Sequence, residues 1–321
     1  MSELIRVPPA EGLSDQVLDL VRASRAASTL TAYAADWRRF DTWCSSVGRG
    51  STPASPSTLA EYLGELARRG QRPATIERAR VGIGQAHALR GLPSPAKDPL
   101  ISELMKGVRR TLGVAQKEAR PIDVDELHRV VEGQPATEMG LRNRAMLVMG
   151  FMGALRRSEL VALDVDDVVI ERRGLLVNIR RSKTDQEGRG ARIGLPLQRG
   201  DVCPVKTFEA WREARSRVVV DDDALFVSLG RRGRGRRLHD QAVWRVLLEA
   251  AERANVDVEK LSAHSLRAGF ATAAAKAGRP ESATRRVTRH RSVAMLLKYV
   301  RIDDPLNAAA GCGLLEMAGV R

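Results

Sequence analysis

Little in this chain invites a metal, a disulfide or a membrane. Its 321 residues hold three cysteines, Cys44, Cys203 and Cys312. They lie far apart, with no C-x-x-C pair and no companion histidines, so neither a zinc site nor a disulfide framework is expected. Three reduced thiols are the simpler reading. No run of about 18 apolar residues occurs, and the opening MSELIRVPPAEGL holds no apolar signal segment. A cytoplasmic protein with no membrane partner is expected. Aromatic residues make up only 4% of the chain, which argues against gripping single strands by base stacking. Acidic residues are in deficit too: 39 Asp and Glu against 53 Lys and Arg leave a net charge of +14. That excess favours a polyanion, and duplex nucleic acid held through Arg and Lys contacts to its backbone is the simplest candidate.

The chain has enough apolar residues, 43%, for real cores, and its length suggests two domains. Residues 14–27 read as a helix behind a Ser cap. In 28–46, Leu30, Tyr33, Trp37, Phe40 and Trp43 recur at helical spacing, which reads as core packing. Further helices are expected over 57–69, led by Ser57, from Pro73 to Leu89, and over 99–112. The polar stretch 114–121 reads as a linker between a helical domain, 1–113, and a second domain, 122–321. The second opens on an Asp-capped helix at DVDELHRVVEG and a strongly apolar, buried helix at 140–152. Residues 167–196 alternate β-prone runs with turn residues, giving a small antiparallel sheet with strands near 167–171, 174–180 and 191–196. Helices resume over 204–217, 239–254, 264–277, 280–289, 292–299 and 305–318. The fold class is therefore mainly α: a helical bundle, then a mostly helical domain with a small sheet.

Three segments of the second domain could carry chemistry. GALRRSELVAL (153–163) sets Arg156 and Glu159 three residues apart, on one helical face. LSAHSLRAGFAT (261–272) places His264 and Arg267 three apart at a helix start, behind Ser262 as a plausible cap, an arrangement that invites a shared anion. RHRSVAMLLKYVR (289–301) holds His290 and, nine residues on, Tyr299. Each alone reads as an ordinary ion pair or packed side chain. Together they give the order Arg156, His264, Arg267, His290, Tyr299.

That order and its wording resemble the phage-integrase family of tyrosine recombinases. GALRRSEL is similar to the family's G-L-R-x-S-E-L box, HSLRAGFAT to its H-x-L-R-x-x-x-A-T box, and RHRSVAMLLKYVR to its G-H-x-S-x-x-x-T-x-x-Y box. The stretch TIERARVGIGQAHALRGLP (75–93) resembles the core-binding domain of Cre-type members. The family's active-site lysine sits in a β-hairpin, and Lys183 in RRSKTDQ matches it; Arg180 and Arg181, nearby, are read as lying within the strand. Two departures stand out. Arg157 replaces an apolar residue, and Arg289 replaces the glycine before the histidine, where it could reshape the loop or add a DNA contact.

The resemblance implies strand breakage and rejoining without cofactor, metal or ATP. A phosphodiester gathers negative charge in its displacement transition state, so positioned cations must stabilise it. Arg156 and Arg267 offer planar forks for the non-bridging oxygens and His290 a third donor. Tyr299, a phenol of pKa near 10, is the nucleophile, forming a 3′-phosphotyrosine link. His264 is its proton acceptor, Lys183 the general acid to the departing 5′-oxygen, and Glu159 orients Arg156 or His264. Arg78 and Arg80 would lie on a helix entering the major groove, where an arginine can read guanine. Arg38, Arg289, and Arg234 and Arg236 of the cationic loop RRGRGRRLHD (231–240) are further expected DNA contacts. A clamp around double-stranded DNA with inverted-repeat core sites, a homo-tetramer on two sites, an exchanged C-terminal helix over 305–318 and a place on the nucleoid complete the expectation. The alternatives are a type IB topoisomerase-like relaxing enzyme, with similar chemistry in a monomer, and a non-catalytic sequence-specific DNA-binding protein.

Overall fold

A computed structural model describes residues 14, 16, 20, 24–114, 119–181, 185, 189–218, 223–231, 233–262, 264–290 and 292–297. The chain divides into two compact units, Met1–Gln116 and Lys117–Arg321. Half of the expected helix at 14–27 and all of 305–318 lie outside the described residues.

The first unit contains helices α1 (Ala27–Ser46), α2 (Pro56–Arg68), α3 (Pro73–Ala88) and α4 (Pro99–Leu112). Three of the four begin on proline, whose fixed φ and missing N–H suit the first helical turn. Ser55, not Ser57, caps α2: its hydroxyl accepts the Thr58 N–H, because Pro56 takes the first helical position and the cap falls two residues earlier. The aromatic stripe packs as expected, with Phe40 buried beside Trp37 and Tyr62 in edge-on contacts. Gly82 lets α3 approach α1 closely, since a Cβ there would lie 3.2 Å from the Tyr33 ring. His87, fully buried, is a structural joint: its Nδ1–H donates to the Ile83 carbonyl and its Nε2 accepts the Ala54 N–H at 3.0 Å.

The second unit opens on α5 (Val124–Glu132), where Asp123 and Glu126 form a reciprocal capping box. Helix α6 (Glu138–Met152) is buried on nearly every side, from Ala145 to Phe151, and so carries no amphipathic stripe. Next come α7 (Arg157–Ala162) and strands β1 (Val168–Glu171), β2 (Gly174–Ile179) and β3 (Ala191–Pro196). The strands form one antiparallel sheet in the order β1-β2-β3, with Val168 opposite Val177 and Val177 opposite Ile193. Those three side chains face the core, and the alternation in β3 fixes the register. Helices α8 (Pro204–Ser216), α9 (Gln241–Arg253), α10 (Ser265–Lys276), α11 (Glu281–Thr288) and α12 (Val293–Leu297) follow. Helix α10 starts at Ser265, one residue later than expected. The Ser262 hydroxyl accepts the His264 N–H and the Ser265 hydroxyl accepts the Ser262 N–H, so the two serines close the turn before the helix. Gly269 of α10 lets that helix press on the chain entering the unit; a Cβ would meet the Ile122 carbonyl at 2.2 Å. Among the described residues no helix is long and apolar enough to cross a membrane.

Candidate active site

The site begins where α6 stops. Gly153 and Ala154 close its last turn, with Leu155 N–H returning to the Gly150 carbonyl at 3.0 Å. Ala154 takes the left-handed backbone, φ 43°, that such a helix stop requires. The turn frees the Gly153 and Ala154 carbonyls, and arginines take both. Arg156 follows and starts α7. Glu159, in the first turn of α7, accepts the Arg156 N–H at 2.9 Å and its Nη1 at 2.6 Å. The carboxylate is almost fully buried, with 1% of its side chain exposed.

Arg267 joins this turn from α10, 113 residues further on. Its Nη1 donates to the Ala154 carbonyl at 2.6 Å. Its Nη2 donates to the Thr288 carbonyl, at the end of α11. A guanidinium 1% exposed therefore ties the second box to the first and to the end of α11, directly before the third. His264, three residues before it, is exposed. The two residues expected to project together occupy different surroundings, one at the surface and one in the core.

The third box enters through Arg289. Helix α11 ends at Thr288, and Arg289 adopts the left-handed conformation, φ 57° and ψ 36°. This is the conformation that makes glycine favourable here, because a Cβ costs roughly 1 kcal/mol in it. Arg289 is also an expected DNA contact, and its surroundings differ from those of an exposed arginine. Its side chain turns inward, 10% exposed, and its Nη2 meets the second Glu159 oxygen at 2.6 Å. Nη1 donates to the Gly153 and Val287 carbonyls. The left-handed turn aims the side chain back at the α6 stop, where a buried carboxylate and free carbonyls satisfy it.

His290 follows, 5% exposed. Burial, then the charges of Arg267, Arg156, Arg289 and Arg285, push its pKa down to about 4. It is neutral near pH 7. Burial would raise the Glu159 carboxyl, but Arg289 and Arg156 outweigh it and hold the group below the usual carboxylate range. Burial lowers the Arg289 guanidinium, and Glu159 offsets part of that. The cluster thus sets three guanidiniums, Arg156, Arg267 and Arg289, against one carboxylate. Two positive charges remain in excess where little water enters, which suits a monoanionic or dianionic phosphoryl group.

Lys183 and Tyr299 lie outside the described residues. Strand β2 ends at Ile179, so Arg180 and Arg181 follow the strand rather than sit in it. Arg180 is held by Asp164 at 2.6 Å, Asp167 at 3.0 Å and the Ala162 carbonyl. In the cationic loop, Arg234 pairs with Glu138 at 3.3 Å. Arg236 is exposed with no ion pair among the described residues, and so is Arg38 on α1. Arg80, another expected DNA contact, is held within the protein. Its Nε and Nη2 bind Glu77 and its Nη1 the Ala96 carbonyl at 2.9 Å, so every nitrogen is engaged within the protein. Among the described residues no group of three or more His, Cys, Asp or Glu is placed to hold a metal ion.

Three boxes distant in sequence thus meet at one buried, cation-rich point in a mostly helical unit bearing a small sheet, an arrangement suited to phosphoryl transfer. The phage integrase family matches residues 120–305, more than half of the chain. The integrase/recombinase xerD homolog of Selenomonas ruminantium is 31% identical over 302 residues, covering 92% of this chain and 87% of that protein. Tyrosine recombinase XerD of Caulobacter vibrioides is 29% identical over 303 residues, covering 91% and 92%. The crystal structure of XerH site-specific recombinase bound to palindromic difH substrate, a post-cleavage complex, shares the fold. Its TM-score is 0.67 at 19% identity, over 89% of this chain and 79% of that one. The chain belongs to the phage integrase family and is a tyrosine recombinase, an enzyme of site-specific DNA recombination.

Proposed function

We propose that this recombinase cleaves each strand by attack of the Tyr299 hydroxyl on a backbone phosphate, leaving a 3′-phosphotyrosine and a free 5′-hydroxyl. The partner strand's 5′-hydroxyl then attacks the phosphotyrosine, releases Tyr299 and joins the exchanged strands. Arg156 and Arg267 stabilise the charge that gathers on the non-bridging oxygens, and His290 adds a neutral donor. His264, exposed at the start of α10, takes the phenol's proton, and Lys183 returns one to the leaving 5′-oxygen. Glu159 acts through Arg156, whose fork it orients. The observation that carries this reading is the pair of bonds from Arg267 to the Ala154 and Thr288 carbonyls, one two residues before Arg156 and the other two residues before His290. The enzyme works as a homo-tetramer on two double-stranded sites with inverted repeats, in the cytoplasm on nucleoid DNA; the palindromic substrate bound by XerH supports the inverted repeat.

Covalent capture tests the reading. Fragmented DNA from the element that carries the gene is incubated with the wild type and with Tyr299→Phe. Complexes that survive denaturant are isolated and their DNA ends sequenced. Adducts at one or two repeated sites, absent with Tyr299→Phe, are expected. Adducts scattered without site preference would indicate a relaxing topoisomerase, and equal adducts with Tyr299→Phe would remove Tyr299 as nucleophile.

A further inference from the structure

Arg78 and Arg80 lie two residues apart on α3, and the sequence offers no reason to separate them. The structure does. Arg80 spends every nitrogen inside the protein, as described above. Arg78 spends only one edge. Its Nε meets Asp36 Oδ2 at 2.8 Å and its Nη2 meets Asp36 Oδ1 at 3.0 Å, a two-point pairing across α1 and α3. The partners differ sharply in exposure: the Asp36 side chain is 3% exposed, the Arg78 side chain 43%. A guanidinium has two forked edges, one from Nε and Nη2 and one from Nη1 and Nη2. Asp36 occupies the first, so the second faces solvent with its direction fixed.

We propose that Arg78 reads a guanine in the target site through its outer Nη1–Nη2 edge, and that Asp36 is the positioning residue that gives Arg78 this specificity. The proposal rests on the reading of the chain as a site-specific recombinase and adds a residue pair that selects the site. The outer edge matches two acceptors in one plane. Guanine O6 and N7 supply them in the major groove, and a phosphate supplies them too. The carboxylate decides between these. A phosphate contact needs positive charge, and Asp36 subtracts one charge at 2.8 Å. What Asp36 adds is orientation, which reading one base edge among four demands more than holding a phosphate does. Asp36 also keeps Arg78 firmly protonated, its bond to the guanidinium raising the pKa. Arg39, bound to Asp36 at 3.3 Å and 64% exposed, leaves the patch cationic enough to sit against DNA.

The full-length protein is used to select bound sequences from a random duplex pool. The enriched site is then remade with single base-pair changes and with 7-deazaguanine, which lacks the N7 acceptor. A G·C pair is expected whose replacement weakens wild-type binding roughly five- to 150-fold. Arg78→Ala and the charge-keeping Arg78→Lys lose that preference while other positions keep theirs. 7-Deazaguanine at that pair weakens the wild type but adds nothing to Arg78→Ala. Asp36→Asn blurs the same preference yet binds random DNA at least as tightly, a split that mere unfolding would not produce; thermal melts check the fold. Uniform weakening of all sequences by Arg78→Ala, with a shallower salt dependence, would make Arg78 a phosphate contact and overturn the proposal. Unchanged preference in Arg78→Lys and Asp36→Asn would overturn it as well. Failure of the wild type to enrich any sequence would instead strike the site-specific reading on which the proposal stands.

Discussion

Asp36 and Glu159 are both buried carboxylates, with side chains 3% and 1% exposed, and each binds more than one arginine. They use them differently. Glu159 draws Arg156 and Arg289 inward, to 16% and 10% exposure, into a cluster closed by backbone carbonyls. Asp36 holds Arg78 and Arg39 at 43% and 64% exposure, with guanidinium edges left to solvent. The depth of the arginine, not of the acid, separates the two. A deep guanidinium lacks water's screening, so its charge acts strongly on a reacting group, and losing its partner costs much. A shallow one is still hydrated, so its acid contributes direction more than energy.

The comparison is tested most severely at its deepest cation. Arg267→Ala strips the Ala154 and Thr288 carbonyls of their donor and empties the volume of a buried side chain. A loss of about 4 kcal/mol is expected in urea unfolding. Glu159→Gln keeps the shape but leaves two deep guanidiniums without a counter-charge, costing about 3 kcal/mol, whereas Asp36→Asn should cost about 1 kcal/mol. Equal losses would erase the distinction between the sites.

Acid probes the deep cluster from another side. The folded pKa of His290 lies near 4, below its ordinary value near 6.5. The unfolded chain therefore binds more protons between those values. The contribution of neutral His290 is complete above pH about 6.5 and is lost as pH falls towards 4, on the order of 3 kcal/mol. His87, lowered by burial and then by Arg90 against the Ile83 carbonyl's opposite pull, follows the same sign in the first unit. A His290→Gln variant should flatten the second unit's dependence over that range, and an unchanged slope would show that His290 does not govern it.

The smallest effect concerns Arg289. Arg289→Ala loses the Glu159 ion pair and keeps the left-handed strain, while Arg289→Gly loses the pair and sheds the strain. The glycine variant should be the more stable of the two by about 1 kcal/mol. If alanine proved equal or better, φ 57° would not be the reason for the family's glycine.

Much of this was legible in the sequence because it is local. The strands over 168–171, 174–179 and 191–196 fall within a residue of their expected bounds, since alternation and turn residues specify them without help from elsewhere. The three boxes announced Arg156, Arg267 and His290 as neighbours. What could not be read was long-range. Arg78 and Arg80 look alike in sequence, and only Glu77, Ala96 and Asp36 tell them apart. Asp36 left one faint sign: it takes the i+3 place in an otherwise apolar stripe of Tyr33, Trp37 and Phe40, where a carboxylate needs a partner. Arg289 showed as a departure from the family's glycine, but its inward turn depends on a carboxylate 130 residues earlier.

In the proposed mechanism the buried cations around the α6 stop stabilise the cleavage transition state. Arg156 tests it most directly, being the most exposed of the Glu159 pair and bound to no third-box carbonyl in the described contacts. Single-turnover formation of the covalent DNA adduct would be timed for the wild type and Arg156→Ala, with site binding measured in parallel. Adduct formation is expected to fall by at least about 10²-fold, with site affinity changed only a few-fold. Adduct formation at the wild-type rate by a folded, DNA-bound Arg156→Ala protein would contradict the account.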